Sequence, residues 1–555
     1  MKPAEIRRKI ELRHSVLRSE RSSFDTHWRE LNDFIVPRTA RFLVSDKNKG
    51  NSWSTKILDE TASLAVRTTA SGMMAGVTSP ARPWFRLTLS DTSLLEMWNV
   101  KSWLDECEKR MIEVFRRSNL YNVLPVIYQN MAVYGTGAMV VEEDEKDLIR
   151  CIPLPIGSYY LAQDYRLRVN TCIREFGMTA GQIVDEFGID NVSDHIKAQH
   201  DNGAVDTWVN VIHAVLPNPD HDGKSKLSKD KAFISVYYEV AGDKDKVLRL
   251  SGYDSFPVMA PRWDVTGEDT YGYGPGSLAL GAVKGLQAEQ KNKLQAIDML
   301  VRPPLNVPSS MRNSRVGMLP GDVNYVDSIQ GSVIQPAYQI NPRIQELSQD
   351  IAEVQTRIKK AFFEDLFLML SNSQRAQITA REIDERHEEK LLMLGPVLER
   401  INNELLDPLI DRTFHLMLVN DMLPEIPEEL QDGGNLQVEY ISIMAQAQKM
   451  VASAGIERLC GFVGNIAGVK PDVLDKLDLD QTVDEYGTML GVSPKIIVDD
   501  ETVAKVRDAR AKAAQAQQMQ QIAPQITQAA QGAKLLSETD MSGDNMLTRL
   551  LGGMA

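Results

Sequence analysis

Two long helical runs with a proline- and glycine-rich stretch between them constrain this chain more than any other feature. The first spans residues 277–301 and ends where Pro303 and Pro304 stop it, since a proline lacks the amide donor and its ring clashes with the preceding turn. The second opens near Pro342 and Arg343. Its apolar residues Ile344, Leu347, Ile351, Val354, Ile358 and Phe362 alternate three and four apart, so they line one helix face. Carried to Met369, it would reach roughly 40 Å at ~1.5 Å per residue. Residues 302–342 hold short strand patterns, "NYVD" and "GSVIQPAY". A small strand-rich knob between helices longer than a small domain is wide suits a component of an elongated assembly better than a compact enzyme.

A loose stretch follows, "SNSQRAQITARE". Residues 371–377 contain no apolar side chain except Ala376, and then Thr379 and Glu382 match a capping box, in which each side chain serves the other residue's amide. The pattern predicts a pliable segment that ends abruptly in a third long helix. The seam of that helix is Leu391, Leu394, Leu398, Ile401, Leu405 and Leu409, and Gly395 with Pro396 inside it predicts a kink.

Upstream, the first 120 residues read as helical, apart from a turn and strand in "SPARPWFRLTLSD". The stretch 59–76, "DETASLAVRTTASGMMAG", repeats small residues at helical spacing, which permits close helix packing, and it stops at glycine. From about Gly135 the runs are short, β-branched or aromatic and set between turn signals, which predicts a mostly antiparallel sheet region. A short helix is expected at 178–187. Residues 424–494 read as helical. Beyond about Asp500 the chain is rich in Ala and Gln, with few large apolar residues to bury, so it should fray past Lys534.

The 555 residues supply three to four domains' worth of chain, and 43% hydrophobic and 25% charged residues are ordinary for globular protein. A formal charge of −14 argues against gripping phosphates with a basic surface, though not against surrounding nucleic acid. Cys107, Cys151, Cys172 and Cys460 lie far apart with no CxxC, which reads as reduced thiols. The N-terminus lacks an apolar core of the targeting type. Ile6, Ile10, Arg13 and Leu17 fall at helical spacing, giving a basic amphipathic helix, more naturally a surface helix than a membrane anchor. The best membrane candidate, 124–141, contains Pro125, Gln129, Asn130 and two glycines and is too polar to span.

Catalytic patterns fail one after another. There is no GxxxxGK[ST], HExxH or GxSxG. "NPDHDGKSKLSK" begins like a calcium loop, with Asn218, Asp220, Asp222 and Gly223, but Lys229 stands where a bidentate glutamate is needed. It reads as a turn. The carboxylates of "DKLDLDQTVDEYG" read as a solvated helix start, and His387 as an exposed helical histidine. With 76 carboxylates, chance clusters are expected, so a carboxylate hydrolase is the weakest class. No catalytic residue, cofactor or metal ion is expected.

Several blocks, taken in order, resemble the head-to-tail connecting (portal) proteins of short-tailed, T7-like double-stranded DNA bacteriophages. They are "HWRELNDFIVPR", "LDETASLAVRTTASGMMAGVTSPARPWFRLTLSD", "YGTGAMVVEED" with "IPLPIGSYYLAQD", "GEDTYGYGPGSLAL" and "QITAREIDERHEEKLLMLGPVLERINNELLDPLIDRTFHLML". The resemblance implies an α+β portal fold. Its wing would be 1–276, its stem helices 277–301 and 343–370, and its strand-rich clip 302–342. A channel loop at 371–378 would lead to a long kinked wing helix at 379–423, a helical crown at 424–500 and an Ala/Gln tail at 501–555, the tail a helical barrel or partly disordered.

The same resemblance implies a dodecameric ring at one capsid vertex of the virion, assembled in the host cytoplasm. Double-stranded DNA would enter and leave through it. The implied partners are the terminase large subunit, the major capsid and scaffolding proteins, and the tail adaptor and nozzle proteins, with no membrane anchor. Ser371, Asn372, Ser373, Gln374, Arg375 and Gln377 would line the narrowest part of the channel, with Arg375 the cation able to touch a phosphate. From the residues alone, an ordinary interhelical turn is the simpler reading of that stretch. Thr379 and Glu382 would anchor the loop, Gly395 and Pro396 would bend the wing helix, and Arg312 and Arg315 would serve docking at the clip. The alternative is another virion component, a tail adaptor or internal core protein.

Overall fold

The computed structural model describes residues 3–43, 55–91, 94, 97–222, 225, 227–301, 305–306, 335–336, 343–372, 393–430, 436–441, 459–468, 470–489, 498 and 502–514. They fall into two compact units, Met1–Val451 and Ala452–Ala555.

In the first unit α1 (Pro3–Phe34) leads to α2 (Thr61–Val77), β1 (Phe85–Leu89), α3 (Trp98–Arg117) and α4 (Leu120–Tyr134). The buried side of α1 runs Arg7, Ile10, Leu17, Arg21, Trp28 and Leu31, so two arginines share a stripe with the apolar residues. Ile6, Ile10 and Leu17 pack with Tyr160, Ile173, Ile212 and Val236 of a β-sheet. The sheet thus covers the apolar face, as the surface-helix reading expects. Backbone carbonyls accept from both guanidinium groups, Glu239 from Arg7 at 3.1 Å and Tyr159 from Arg21 at 2.6 Å, and each arginine also has a carboxylate one turn on, Glu11 and Asp25.

The 124–141 stretch does not continue as one element. α4 ends at Gly135, which adopts φ +80°, and a Cβ there would lie 2.4 Å from the Gly272 carbonyl carbon. Only glycine meets both demands at low cost. No helix among the described residues is long and apolar enough to cross a membrane.

Two antiparallel sheets follow. The first is β3-β2-β9, from β2 (Met139–Asp144), β3 (Leu148–Pro153) and β9 (Val258–Met259). The second is β4-β5-β6-β7-β8, from β4 (Tyr159–Gln163), β5 (Val169–Thr179), β6 (Trp208–Pro217), β7 (Phe233–Glu239) and β8 (Arg249–Tyr253). Two short helices, α5 (Ala180–Phe187) and α6 (Asp194–Asp201), interrupt it. α5 starts with a capping box between Thr179 and Gln182; α6 was not legible from the sequence pattern.

The long helix α7 (Pro275–Val301) begins two residues ahead of its expected start, and the insert opens with β10 (Leu305–Asn306) pairing antiparallel with β11 (Gln335–Pro336). The second run is not one helix. α8 (Ile344–Ala361) ends at Phe362, Phe363 adopts φ +55°, and α9 (Glu364–Asn372) resumes. The expected single helix to Met369 is therefore corrected to two. α9 also takes Ser371 and Asn372 into helical backbone, where the loop is expected to open; residues 373–378 lie outside the described residues.

Residues 393–419 form a helical rod, α10, interrupted by a π-helical turn at Asn402–Leu406. Then comes a second correction. The stretch read as helical with short loops from 424 contains the strand β12 (Leu436–Tyr440), paired residue for residue with β1. The second unit contains helical residues 459–467, a helix at Leu479–Met489 and helical residues 502–514.

Cys107, Cys151 and Cys172 are free and buried, and Cys460 is free and half-buried. Burial pushes the first three thiols up to about 12, where they stay protonated at neutral pH.

Candidate channel and docking elements

α7 and α8 are an antiparallel pair, and side-chain contacts fix their register. Gln287 and Gln290 of α7 lie level with Gln355 of α8 around one carboxylate, Asp59. Its Oδ2 accepts from Gln290 at 2.9 Å and from Gln355 at 2.8 Å. Gln287 Oε1 accepts the amides of Leu58 at 2.6 Å and Asp59 at 2.9 Å, and its Nε2 donates to the Asp59 carbonyl at 2.9 Å. Burial pushes the Asp59 carboxyl up, but the hydrogen bonds from Thr61, Gln355 and Gln290 outweigh it and hold the group below its ordinary value. The same register carries on to Leu305 opposite Pro336 in β10–β11. The foot of the helix pair is thus tied to the start of α2, and the insert leaves from its far end.

Toward that end α7 loses its cover. Its buried residues stop at Leu286 and Gln287, and Leu294 at 55%, Leu300 at 47% and Val301 at 72% stand exposed, with Ile297 beside them. Glu289 of α7 is held above its ordinary value by burial and by Asp350 of α8. Arg312 and Arg315 lie outside the described residues.

The break between α8 and α9 sits on α2. Thr69 Oγ1 donates to the Phe362 carbonyl at 2.6 Å. A Cβ at Gly72 would lie 2.3 Å from Phe367 Cβ, so the small-residue helix does let its neighbour approach closely, as its composition predicts. Phe362, Leu366 and Phe367 are buried there. α9 then points the chain into the polar stretch. Ser373, Gln374, Arg375, Gln377, Thr379 and Glu382 lie outside the described residues.

Leu394, Leu398, Ile401, Leu405 and Leu409 of α10 are all buried, the expected seam; Leu391 lies outside the described residues. Gly395 and Pro396 fall within helical residues 393–401, two residues from where the description of the rod begins. They stand in unbroken helical backbone, and the residues before 393 lie outside the described residues. What the sequence did not signal is the π turn, which brings Glu404 to the buried Arg262. Arg262 Nη2 meets Glu404 Oε1 at 2.6 Å, and the Arg262 amide donates to Oε2 at 2.9 Å. Arg412, one turn past Leu409 on the same seam, donates to the Val141 carbonyl at 2.9 Å. An arginine on an otherwise apolar helical stripe was the available clue, for Arg412 as for Arg7 and Arg21.

The chemistry-bearing candidates resolve as structure. Asn218 donates to the carbonyls of Lys229 at 3.2 Å and Lys231 at 2.8 Å, and Ser225 to Asp230 at 2.7 Å, which is a side-chain-tied turn. Asp478 Oδ1 accepts the amides of Asp480 and Gln481, both at 3.1 Å, so that carboxylate cluster opens the helix Leu479–Met489. His387 lies outside the described residues. No group of three or more His, Cys, Asp or Glu side chains placed to hold a metal ion occurs among the described residues.

Comparison with known proteins agrees with the earlier resemblance. The family described as bacteriophage head to tail connecting protein matches residues 7–498. The portal protein of Salmonella phage epsilon15 is 51% identical over 536 residues, covering 96% of each chain. A probable portal protein of Bordetella phage BPP-1 is 44% identical over 533 residues, covering 96% of this chain and 95% of its own.

Proposed function

The chain belongs to the bacteriophage head to tail connecting protein family, and from that premise we propose that copies of it form a ring, dodecameric as the resemblance implies, at one capsid vertex of the virion. Double-stranded DNA is packaged and ejected through the ring. The observation that carries the reading is the antiparallel pair α7–α8. It is anchored at one end on Asp59, and at the other it bears apolar residues, Leu294, Leu300 and Val301, that a single chain leaves uncovered. An exposed apolar stripe on a long helix is covered when identical copies pack side by side.

In this reading α7 and α8 are stem helices, and 302–342 is the clip that docks the terminase large subunit and later the tail adaptor and nozzle proteins. The stretch beyond α9 faces the channel, with Arg375 its cation. The capsid and scaffolding proteins meet the outer surface, and assembly takes place in the host cytoplasm. A channel for sliding DNA should neutralise few phosphates, because affinity grows with each one neutralised; a chain of net charge −14 suits that. The ring performs no phosphoryl chemistry of its own, and the motor is a separate terminase. The full-length match to portal proteins disfavours a tail adaptor or internal core protein.

Electron microscopy of the purified chain tests this. Rings with a central hole and no steady ATP hydrolysis are expected. Persistent monomers, or ATP turnover by the ring alone, would overturn it.

A further inference from the structure

This inference rests on the ring reading and concerns which surfaces of neighbouring copies meet. The turn joining β4 to β5, residues 164–168, exposes Tyr165, Arg166, Leu167 and Arg168, Tyr165 to 85%. A tyrosine free on a slack loop would mean little, but this turn is held throughout. Asp164 Oδ1 accepts the amides of Arg166 at 2.8 Å and Arg168 at 3.0 Å. The Asp164 amide donates to the Arg168 carbonyl at 2.9 Å. Buried Arg262 donates to the Leu167 carbonyl at 3.0 Å and to the Gln163 side chain at 3.1 Å.

Leu167 is held at φ +62°, a conformation that persists in a non-glycine residue only where the surroundings over-determine it, and which is enriched at functional positions. Arg166 lies against the Tyr165 ring, its Nε donating to the hydroxyl at 2.6 Å. Neither Arg166 nor Arg168 pairs with a carboxylate among the described residues. A rigid tyrosine flanked by arginines loses little entropy on binding and has the composition of an interface hot spot.

The complementary surface is on the same chain. The end of β2 carries Glu143, which accepts from Asn420 at 3.2 Å, and Asp144, and the turn to β3 carries Glu145 and Asp147 with Lys146 between them; further down the ladder Arg150 stands opposite Glu142. This turn is also ordered: Asp144 Oδ1 accepts the amides of Lys146 at 2.8 Å and Asp147 at 2.9 Å.

Contacts between the two sheets fix the directions of the two turns. Thr136, just before β2, bridges to Arg262, the residue that holds the basic turn. Glu142, near the end of β2, takes Arg174 Nη2 at 3.4 Å, and Arg174 stands opposite Tyr159, where β4 begins. β2 therefore runs away from the basic turn while β4 runs toward it. The turns leave the body in opposite senses, and the span from Thr136 to Asp144 is roughly 26 Å at ~3.3 Å per residue.

We propose that the basic Tyr165 turn of each subunit docks on the acidic β2–β3 turn of the next copy. A head-to-tail contact needs two unlike surfaces on opposite sides of one chain. Copies of net charge −14 repel one another, and a basic surface meeting an acidic one offsets that locally and fixes register.

The experiment reads ring assembly against concentration by mass photometry in about 0.15 M salt, where the Debye length is ≈ 8 Å, with electron microscopy of the wild type alongside. Combining Arg166→Glu with Arg168→Glu should raise the concentration at half-assembly by about tenfold or more. Circular dichroism should stay unchanged, because both side chains are exposed. Adding Glu145→Lys and Asp147→Lys to the same chain should restore assembly, since the reversed surfaces attract again. If the wild type forms no ring, the ring reading fails and this contact falls with it. If the wild type forms rings and the Arg166→Glu, Arg168→Glu chain forms them at the same midpoint, the contact is overturned and the ring reading stands. A reversed chain whose rings are unaltered but whose affinity for duplex DNA drops assigns the turn to nucleic acid and overturns the contact too. Failure of the four-fold reversal to recover rings counts equally against it.

Discussion

Gly72→Ala tests how tightly α9 is set against α2. One methyl is added, yet its carbon would lie 2.3 Å from Phe367 Cβ and 2.4 Å from the Phe367 ring, more than an ångström inside the ~3.5–4.0 Å at which carbons rest. Phe367 is 2% exposed and cannot swing into solvent. Its neighbour Phe362 is fully buried and tied to Thr69 through its carbonyl. α9 must therefore back away from α2, and overpacking of this kind costs about 1–3 kcal/mol, less the few tenths to 1 kcal/mol that alanine gains over glycine in a helix. The net expectation is a loss of about 0.5–2 kcal/mol, read as a lower urea midpoint at unchanged slope. Phe367→Ala alone removes a buried ring, at about 3–5 kcal/mol. Combined with Gly72→Ala it should cost less than the sum, since the methyl then enters the vacated space, a coupling of contacting residues. A Gly72→Ala chain as stable as the wild type, or strictly additive effects in the double variant, would refute the close-packed account of α2 and α9.

Three further expectations concern the channel, the insert and pH. Replacing 373–377 with a Gly/Ser linker should leave ring assembly intact and impair retention of packaged DNA; rings that retain DNA normally would remove the stretch from the channel. Deleting 309–317 should preserve rings and block packaging in an in vitro packaging assay, and continued packaging would put the docking site elsewhere. Acid should destabilise the fold partly through His213, fully buried, which accepts from Arg174 Nε at 3.0 Å on Nδ1 and is therefore neutral. Burial, then Arg174, hold its pKa well below the ordinary value. The unfolded chain binds the proton first, so the contribution is complete above pH ~6.5 and is lost as pH falls below that, at about 1.4 kcal/mol per pH unit. His213→Gln should flatten the urea midpoint between pH 6.5 and 4.5, and an unchanged slope would exclude the histidine as the cause.

Periodicity and composition alone determined a good deal here. The seam of α10, the burial of one face of α1, the short β-branched and aromatic runs of both sheets, the proline stop after α7 and the small residues of α2 are local patterns, and each predicts one face, one element or one boundary. The tertiary structure decided what local pattern cannot carry. "LQVEY" alternates like a strand, yet five residues have no strand identity until β1 lies alongside, about 350 residues away in the chain. The amphipathic run through Phe362 is continuous in sequence, and it breaks because Thr69 and Gly72 of a distant helix hold the Phe362 carbonyl and the Phe367 ring where one straight helix could not put both. The buried arginines are the sharpest case. Burying a guanidinium is costly unless its donors find acceptors, and the acceptors of Arg262, from Leu167 to Glu404, come from a turn and a helix far apart in the chain. Sequence fixes which groups must be satisfied; only the folded arrangement supplies the groups that satisfy them.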